Sequence, residues 1–275
     1  MSSVTVVRIG EGATSPFRTL REIWNYRDLF GALGLRDLRL RYRQTALGVA
    51  WVVLQPLAAA GIFAFVFGTI AKVPTDGQPY LLFSLAALTG WNFFSAVLTR
   101  ASASLIQNPQ LVTRVYFPRL ILPLAVVPAA LVDLLVTVVA FLGIAAMQGR
   151  TPAVAFLALP LVILLLGLLA LGAGFAAAAL AVRYRDVQYL LPVAIQLALY
   201  ASPVAYSASA VAGKWRALYY ANPLAAPLEL MRWSLLGTPA PSFNHLGYSV
   251  AAALALCLVG AWVFRRIERS FADEI

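Results

Sequence analysis

Long runs without an ionisable residue alternate with short basic clusters along this chain. A bilayer core of about 30 Å takes roughly 20 residues of helix to cross. Uncharged runs of that order predict spanning helices over residues 47–70, 80–98, 120–147, 153–182, 187–207 and 248–264. The third run holds a single acid, Asp133. The pattern predicts an all-α integral membrane protein of about six transmembrane helices. One transmembrane domain is expected over 46–265, followed by a short cytoplasmic tail over 266–275.

Two segments break the pattern. Over 17–45, Ile23, Tyr26, Phe30 and Leu33 recur at helical spacing, and the same segment carries Arg27, Arg36, Arg39 and Arg43. A basic amphipathic helix of this kind lies in the membrane interface, its arginines facing lipid phosphates or a partner. Residues 1–16 show no such pattern and are expected to be a flexible lead. The second segment separates spans 5 and 6. It carries Asn222, Pro223, Pro227, Glu229, Arg232, Pro239 and Pro241, and its helical stretch 228–236 is too short and too charged to cross. Irregular backbone at membrane depth is tolerated where it is buried in protein or lines water. An external re-entrant segment shaping the mouth of a pathway is therefore expected.

An even number of spans puts both termini on one side. All Lys and Arg except Lys72, Arg150, Lys214, Arg216 and Arg232 fall on that same side. By the positive-inside rule both termini are cytoplasmic. Composition agrees with a membrane protein: 61% of residues are hydrophobic and 12% charged, against about 45–50% and about 25% in soluble domains. The formal charge of +10 follows topology and gives no reason to expect a nucleic-acid partner. No cleavable signal peptide is expected, because the first apolar run starts near Leu47 and is too long.

Candidate chemistry is sparse. Cys257 and His245 are each the only residue of their kind, so neither a disulfide nor a metal cluster is expected, and His245 reads as a solvated loop residue. The Gly213-Lys214 pair lacks the upstream glycine and following hydroxyl of a phosphate loop. No cofactor is expected in this chain, and ATP-driven work would belong to another subunit. Asp133 sits 14 residues beyond Arg119, about 20 Å along a helix. An acid there faces the bundle interior or a cavity, with a hydrogen bond to a neighbouring helix as the favoured role and a part in the pathway or in gating as the alternative. Ala170, Gly174 and Ala178, with Gly167 and Gly172 nearby, predict a close helix crossing. Phe63, Phe67, Tyr80, Phe83, Trp91, Phe94, Tyr200 and Tyr206 are candidates to line a glycan path, the alternative being packing or interface anchoring.

Two stretches carry a family resemblance. The first is Gly90-Trp91-Asn92-Phe93-Phe94 followed by Asn108-Pro109-Gln110-Leu111-Val112-Thr113-Arg114-Val115-Tyr116-Phe117-Pro118-Arg119. The second is Arg183-Tyr184-Arg185-Asp186, then Ser202-Pro203-Val204 and Asn222-Pro223-Leu224. Together they resemble the permease family of type-2 ABC exporters for O-antigen, capsular polysaccharide and teichoic acid, over about residues 20–265. The resemblance implies a transport subunit of the bacterial cytoplasmic (inner) membrane, not an enzyme. It implies a homodimer of permeases working with two copies of a separate ATPase that binds ATP and Mg, and a lipid-linked glycan as cargo. It also implies that Asn108, Pro109, Leu111, Arg114, Val115, Tyr116, Phe117 and Pro118 form a coupling helix docking on that ATPase. Local chemistry supports a short helix here: Asn108-Pro109 starts it, Pro118 stops it, Leu111 and Val115 give an apolar side and Arg114 offers a charge. The rival readings are an exporter of lipids or drugs, a structural subunit, and a membrane-embedded lipid-sugar transferase. The last predicts paired acids or a His-rich face, which the sequence lacks.

Overall fold

The computed structural model describes residues 24–43, 50–151, 154–211, 213–268 and 271. The expected lead over 1–16, Ile23, Leu47 at the first span's start, and most of the tail lie outside the described residues. Helix α1 (Arg27–Arg43) is followed by α2 (Ala50–Phe63), which runs on into a π-helical stretch, Ala64–Ile70. Next come α3 (Tyr80–Ala103), α4 (Pro109–Arg114), α5 (Ile121–Leu124) and α6 (Val127–Met147). A 3-10 turn, Val154–Ala158, leads into α7 (Leu159–Arg183). The chain ends with α8 (Val187–Ala201), α9 (Trp215–Ala221), α10 (Ala225–Leu236) and α11 (Phe243–Glu268). The described residues contain no strand.

Five helical runs are long and apolar enough to cross a bilayer: Ala50–Ile70, Tyr80–Ala103, Ile121–Met147, Val154–Arg183 and Phe243–Glu268. The expected span over 187–207 is shorter. Helix α8 stops at Ala201, and its 15 residues reach about 22 Å at 1.5 Å each, short of a full core. The cause is local: Pro203 disfavours helical backbone at the residue before it, and Ser202 is extended (φ −97°, ψ 152°).

Helix α3 is the centre of the bundle. From Leu82 to Leu98 nearly every side chain is buried, enclosed by α2, α6, α7, α8 and α10. Its carbon-rich faces join those of α6, α7 and α10 in one core, with Phe141, Leu166, Leu169 and Leu228 among the fully covered residues. A second core lies at the end carrying α1 and α4, here called the basic end. Leu33, Leu105, Val112, Phe117, Ile121, Phe175, Phe264 and Phe271 meet there. Helix α1 contributes Leu33, with Tyr26, Leu29 and Phe30 partly covered beside it; Arg27, Arg36 and Arg39 stay exposed. The opposite end carries α9 and α10 and is the cap end.

The small residues of α7 serve two neighbours of the same chain. A Cβ on Gly174 would stand 2.8 Å from the Ala101 Cβ of α3. A Cβ on Gly172 would stand 2.6 Å from the Cys257 backbone nitrogen of α11, and one on Gly260 would run into the Gly172 carbonyl oxygen. The α7–α11 crossing thus brings backbone against backbone, which only glycine permits. By contrast, α2, its π-helical extension and α8 leave large apolar side chains such as Ile62, Phe65, Leu190 and Leu197 uncovered, as lipid or a second subunit requires. Substituting Gly260→Leu should lower stability by at least about 1–3 kcal/mol through overpacking. Gly143→Ala, with open space around it, should be neutral or slightly stabilising; thermal unfolding in detergent compares the two.

Candidate functional site

At the cap end, the break after α8 leaves carbonyl groups without helical partners, and side chains from elsewhere supply the donors. Arg232 of α10 is 2% exposed. Its Nη2 donates to the carbonyl oxygens of Pro203 (2.6 Å) and Val204 (2.8 Å), and its Nε donates to that of Phe83 (3.3 Å). The guanidinium also lies 3.9 Å above the Phe83 ring, a desolvated cation–π contact. Asn222 Nδ2 donates to Ala201 O and to Ser202 Oγ (2.9 Å), and Tyr80 OH donates to Ala205 O. Asn222 Oδ1 accepts from the Leu224 amide (2.9 Å), the Asx turn that launches α10 just after the half-buried Pro223. Helix α10 ends at Gly237, whose φ of 68° is a left-handed cap.

Glu229 lies one turn before Arg232 and is 8% exposed. It accepts hydrogen bonds from Tyr219 OH (2.5 Å) and Tyr220 OH (3.2 Å). Burial pushes its carboxyl above the ordinary range, against the opposing pull of those phenols, Arg232 and His245. Burial likewise lowers Arg232 to about 10, still a cation at neutral pH, and raises Tyr206, Tyr219 and Tyr220. His245 is not the solvated loop residue that its position suggested. Its half-buried ring stacks on Tyr220 at 3.5 Å and 7°, and its Nδ1 pairs with Ser242 Oγ at 2.8 Å. Between these groups lies a cavity of 330 Å³.

Within the bundle Asp133 is paired. Arg100 Nη2 of α3 donates to its Oδ2 at 2.9 Å, so the neighbouring-helix contact expected for this acid is an ion pair. The pair borders a polar cleft of 300 Å³ with Gln55, Asn92, Thr99 and Thr137. Among the aromatic candidates, Phe83, Trp91 and Phe94 are buried in the core. Phe63, Phe67, Tyr80 and Tyr206 are partly covered, and Tyr200, at 64%, stands open.

At the basic end α4 is short. Pro109 occupies its first turn, while Asn108 turns its Nδ2 back to Ser104 O (2.8 Å) instead of capping. The helix stops at Arg114, before Pro118, because Val115 is extended (φ −122°, ψ 133°). That frees Phe117 to turn into the lower core beside Val112. Leu111 is half-buried, whereas Val115, expected on the covered side, is 51% exposed and Tyr116 66%. Arg119 holds the segment to the end of α11, donating from Nη1 to Glu268 O at 2.6 Å and lying 5.6 Å over Phe271. The result is an exposed ridge, Arg114-Val115-Tyr116, on a buried base. Arg183, Tyr184, Arg185 and Asp186 are exposed as well.

Sequence reasoning missed three partners: Arg100 for Asp133, the Tyr219–Tyr220 pair for Glu229, and Arg119 as a brace. Arg100 registered only as a topology charge. The available signal was that a lone acid in one span wants a base near the end of another.

Taken together, these features define a polytopic helical membrane protein with polar chemistry concentrated at a cap, an internal ion pair and an exposed ridge. Residues 28–236 match the ABC-2 type transporter family, and the chain belongs to that family. It is 27% identical over 174 residues to the O-antigen export system permease protein RfbA of Klebsiella pneumoniae, a match covering 63% of this chain and 66% of that protein. The permease of the same name from Myxococcus xanthus matches to the same extent. The chain thus spans a little under two thirds of the length of these curated relatives.

Replacing Asp133 with Leu strands the Arg100 charge and should cost stability toward the low end of about 3–5 kcal/mol, since Arg100 keeps partial access to water. Adding Arg100→Met should recover part of that loss in a double-mutant cycle read by thermal unfolding. Because Glu229 is raised in the folded state, its protonated form favours the packed cap. That contribution is full below the ordinary carboxylate value and is lost as pH climbs through the raised one. Hydrogen exchange of α9 and α10 should quicken across that window, and Glu229→Gln should flatten the response.

Proposed function

We propose that this chain is the permease subunit of an ABC exporter that moves lipid-linked polysaccharide (an O-antigen, capsule or teichoic-acid-like glycan) outward across the bacterial cytoplasmic membrane. Two copies form the membrane channel, and two copies of a separate ATPase, carrying ATP and Mg, drive it. Both termini and the basic end are cytoplasmic; the cap end is external. The O-antigen export permeases to which the chain is similar support the choice of cargo.

The observation that carries this reading is the exposed Arg114-Val115-Tyr116 ridge on its buried base. An uncovered valine and tyrosine beside a free-standing arginine form the kind of patch that anchors a protein partner, since Tyr and Arg dominate interface energetics. Val112 and Phe117 pack that ridge against Phe264, Phe175 and Ile121. A push on the ridge is therefore delivered to α5, α7 and α11 and not absorbed by a loose loop. ATP closing the partner dimer would move this ridge, and the two permeases would part at their shared face to let the glycan through.

Co-purification with the ATPase encoded beside it, followed by ATPase assays in lipid nanodiscs, tests the proposal. Wild type should purify as a two-plus-two complex. Tyr116→Ala and Arg114→Ala should each weaken the complex by about tenfold or more, the scale of losing an interface anchor, and abolish surface delivery of glycan while the permease stays folded. A permease that purifies without any ATPase sinks the exporter reading.

A further inference from the structure

We propose that the cavity at the cap end is a sugar-binding subsite that takes one or two pyranose residues of the emerging glycan, an inference that rests on the exporter reading. Its 330 Å³ falls at the small end of ligand pockets, which run from about 300 to 1,000 Å³. Arg216, Arg232, Asp76 and Glu229 line it together with the stacked Tyr220 and His245. The formal charges of the first four cancel. A phosphate or carboxylate entering here would meet Asp76 and Glu229 as like charges, and a cation would meet Arg216 and Arg232. A neutral ligand rich in hydroxyl groups meets neither penalty.

The hydrogen-bonding inventory suits such a ligand. Arg232 spends Nε and Nη2 on carbonyl groups, and its Nη1 is buried with no hydrogen-bond partner. A buried guanidinium nitrogen left without an acceptor is costly, and a sugar hydroxyl oxygen would supply one without adding charge once the side chains that cover Nη1 shift to admit it. Beside it the Glu229 carboxylate offers remaining acceptor capacity, since each ionised oxygen has two lone pairs and the two tyrosines do not fill them. Donor and acceptor one helical turn apart, about 5.4 Å of rise, suit different hydroxyls of the same pyranose. The Tyr220–His245 pair gives an aromatic wall against which the C–H face of a sugar ring packs. Placement at the external mouth means that this subsite meets sugars only after they have crossed, so it would hold exported chain against backsliding and would read no lipid.

The test uses the permease purified with its ATPase in nanodiscs, and as probe the oligosaccharides released by mild acid from the host's own surface glycan. Saturation-transfer NMR should show binding to wild type. Ser209→Trp, which fills the cavity from its rim, should weaken binding about tenfold, the effect of losing roughly one good contact. Arg216→Ala, an exposed change that leaves folding unaffected, should weaken it several-fold. Absence of binding to wild type, binding that both variants retain unchanged, or displacement of the sugar by inorganic phosphate would each overturn the subsite. Deleting the gene separates the two readings: surface glycan that persists without the gene overturns the exporter itself, whereas glycan lost on deletion with no oligosaccharide binding overturns only the subsite.

Discussion

A membrane helix that breaks before it has crossed exposes carbonyl groups to a medium without water, and each must find a donor within the protein. This constraint organises the cap end. Helix α8 stops at Ala201, before Ser202-Pro203, and four of the five carbonyls over residues 201–205 are answered by side chains: Ala201 by Asn222, Pro203 and Val204 by Arg232, Ala205 by Tyr80. One buried arginine thus ties the turn after the short helix α8, helix α10 and the start of α3 into a single unit. A lysine has the charge but not the planar fork that reaches two carbonyls and a third at once while lying on an aromatic face.

That unit is joined to the opposite end through α3. At one end its Phe83 carbonyl and ring receive Arg232; at the other, Arg100 grips Asp133 and Ala101 meets Gly174 of α7. Close packing transmits displacement poorly through continuous deformation and well through rigid elements. A helix buried along most of its length and held at both ends by ionic groups is such an element. The neighbouring α2 and α8 have few buried residues, which leaves them the freedom to part from a second copy that the exporter reading requires.

Hydropathy and charge placement were enough to reveal a helical membrane protein and its long spans. Those features follow from a solvent that punishes charge and unpaired backbone wherever they fall, so they are written locally. Even the early stop of α8 was available in Ser202-Pro203, though an uncharged run extending further concealed it. The end of α4 was less legible. Pro118 advertised a stop, but the extended backbone at Val115 comes from burying Phe117, a contact with residues distant in sequence.

Partnerships were decided by tertiary structure alone. Nothing in the order of residues states that Asp133 meets Arg100, that Gly172 and Gly260 face each other, that Phe83, Trp91 and Phe94 turn inward, or that His245 stacks on Tyr220. Such pairings depend on helix rotation and crossing geometry, where a change of a third of a turn moves a side chain from lipid to core while composition stays the same. The chain's sequence determined which segments enter the membrane and where charge was tolerable, because transfer free energy acts on each residue where it stands. The fold decided which charges and rings meet, because contact depends on how whole helices settle against one another.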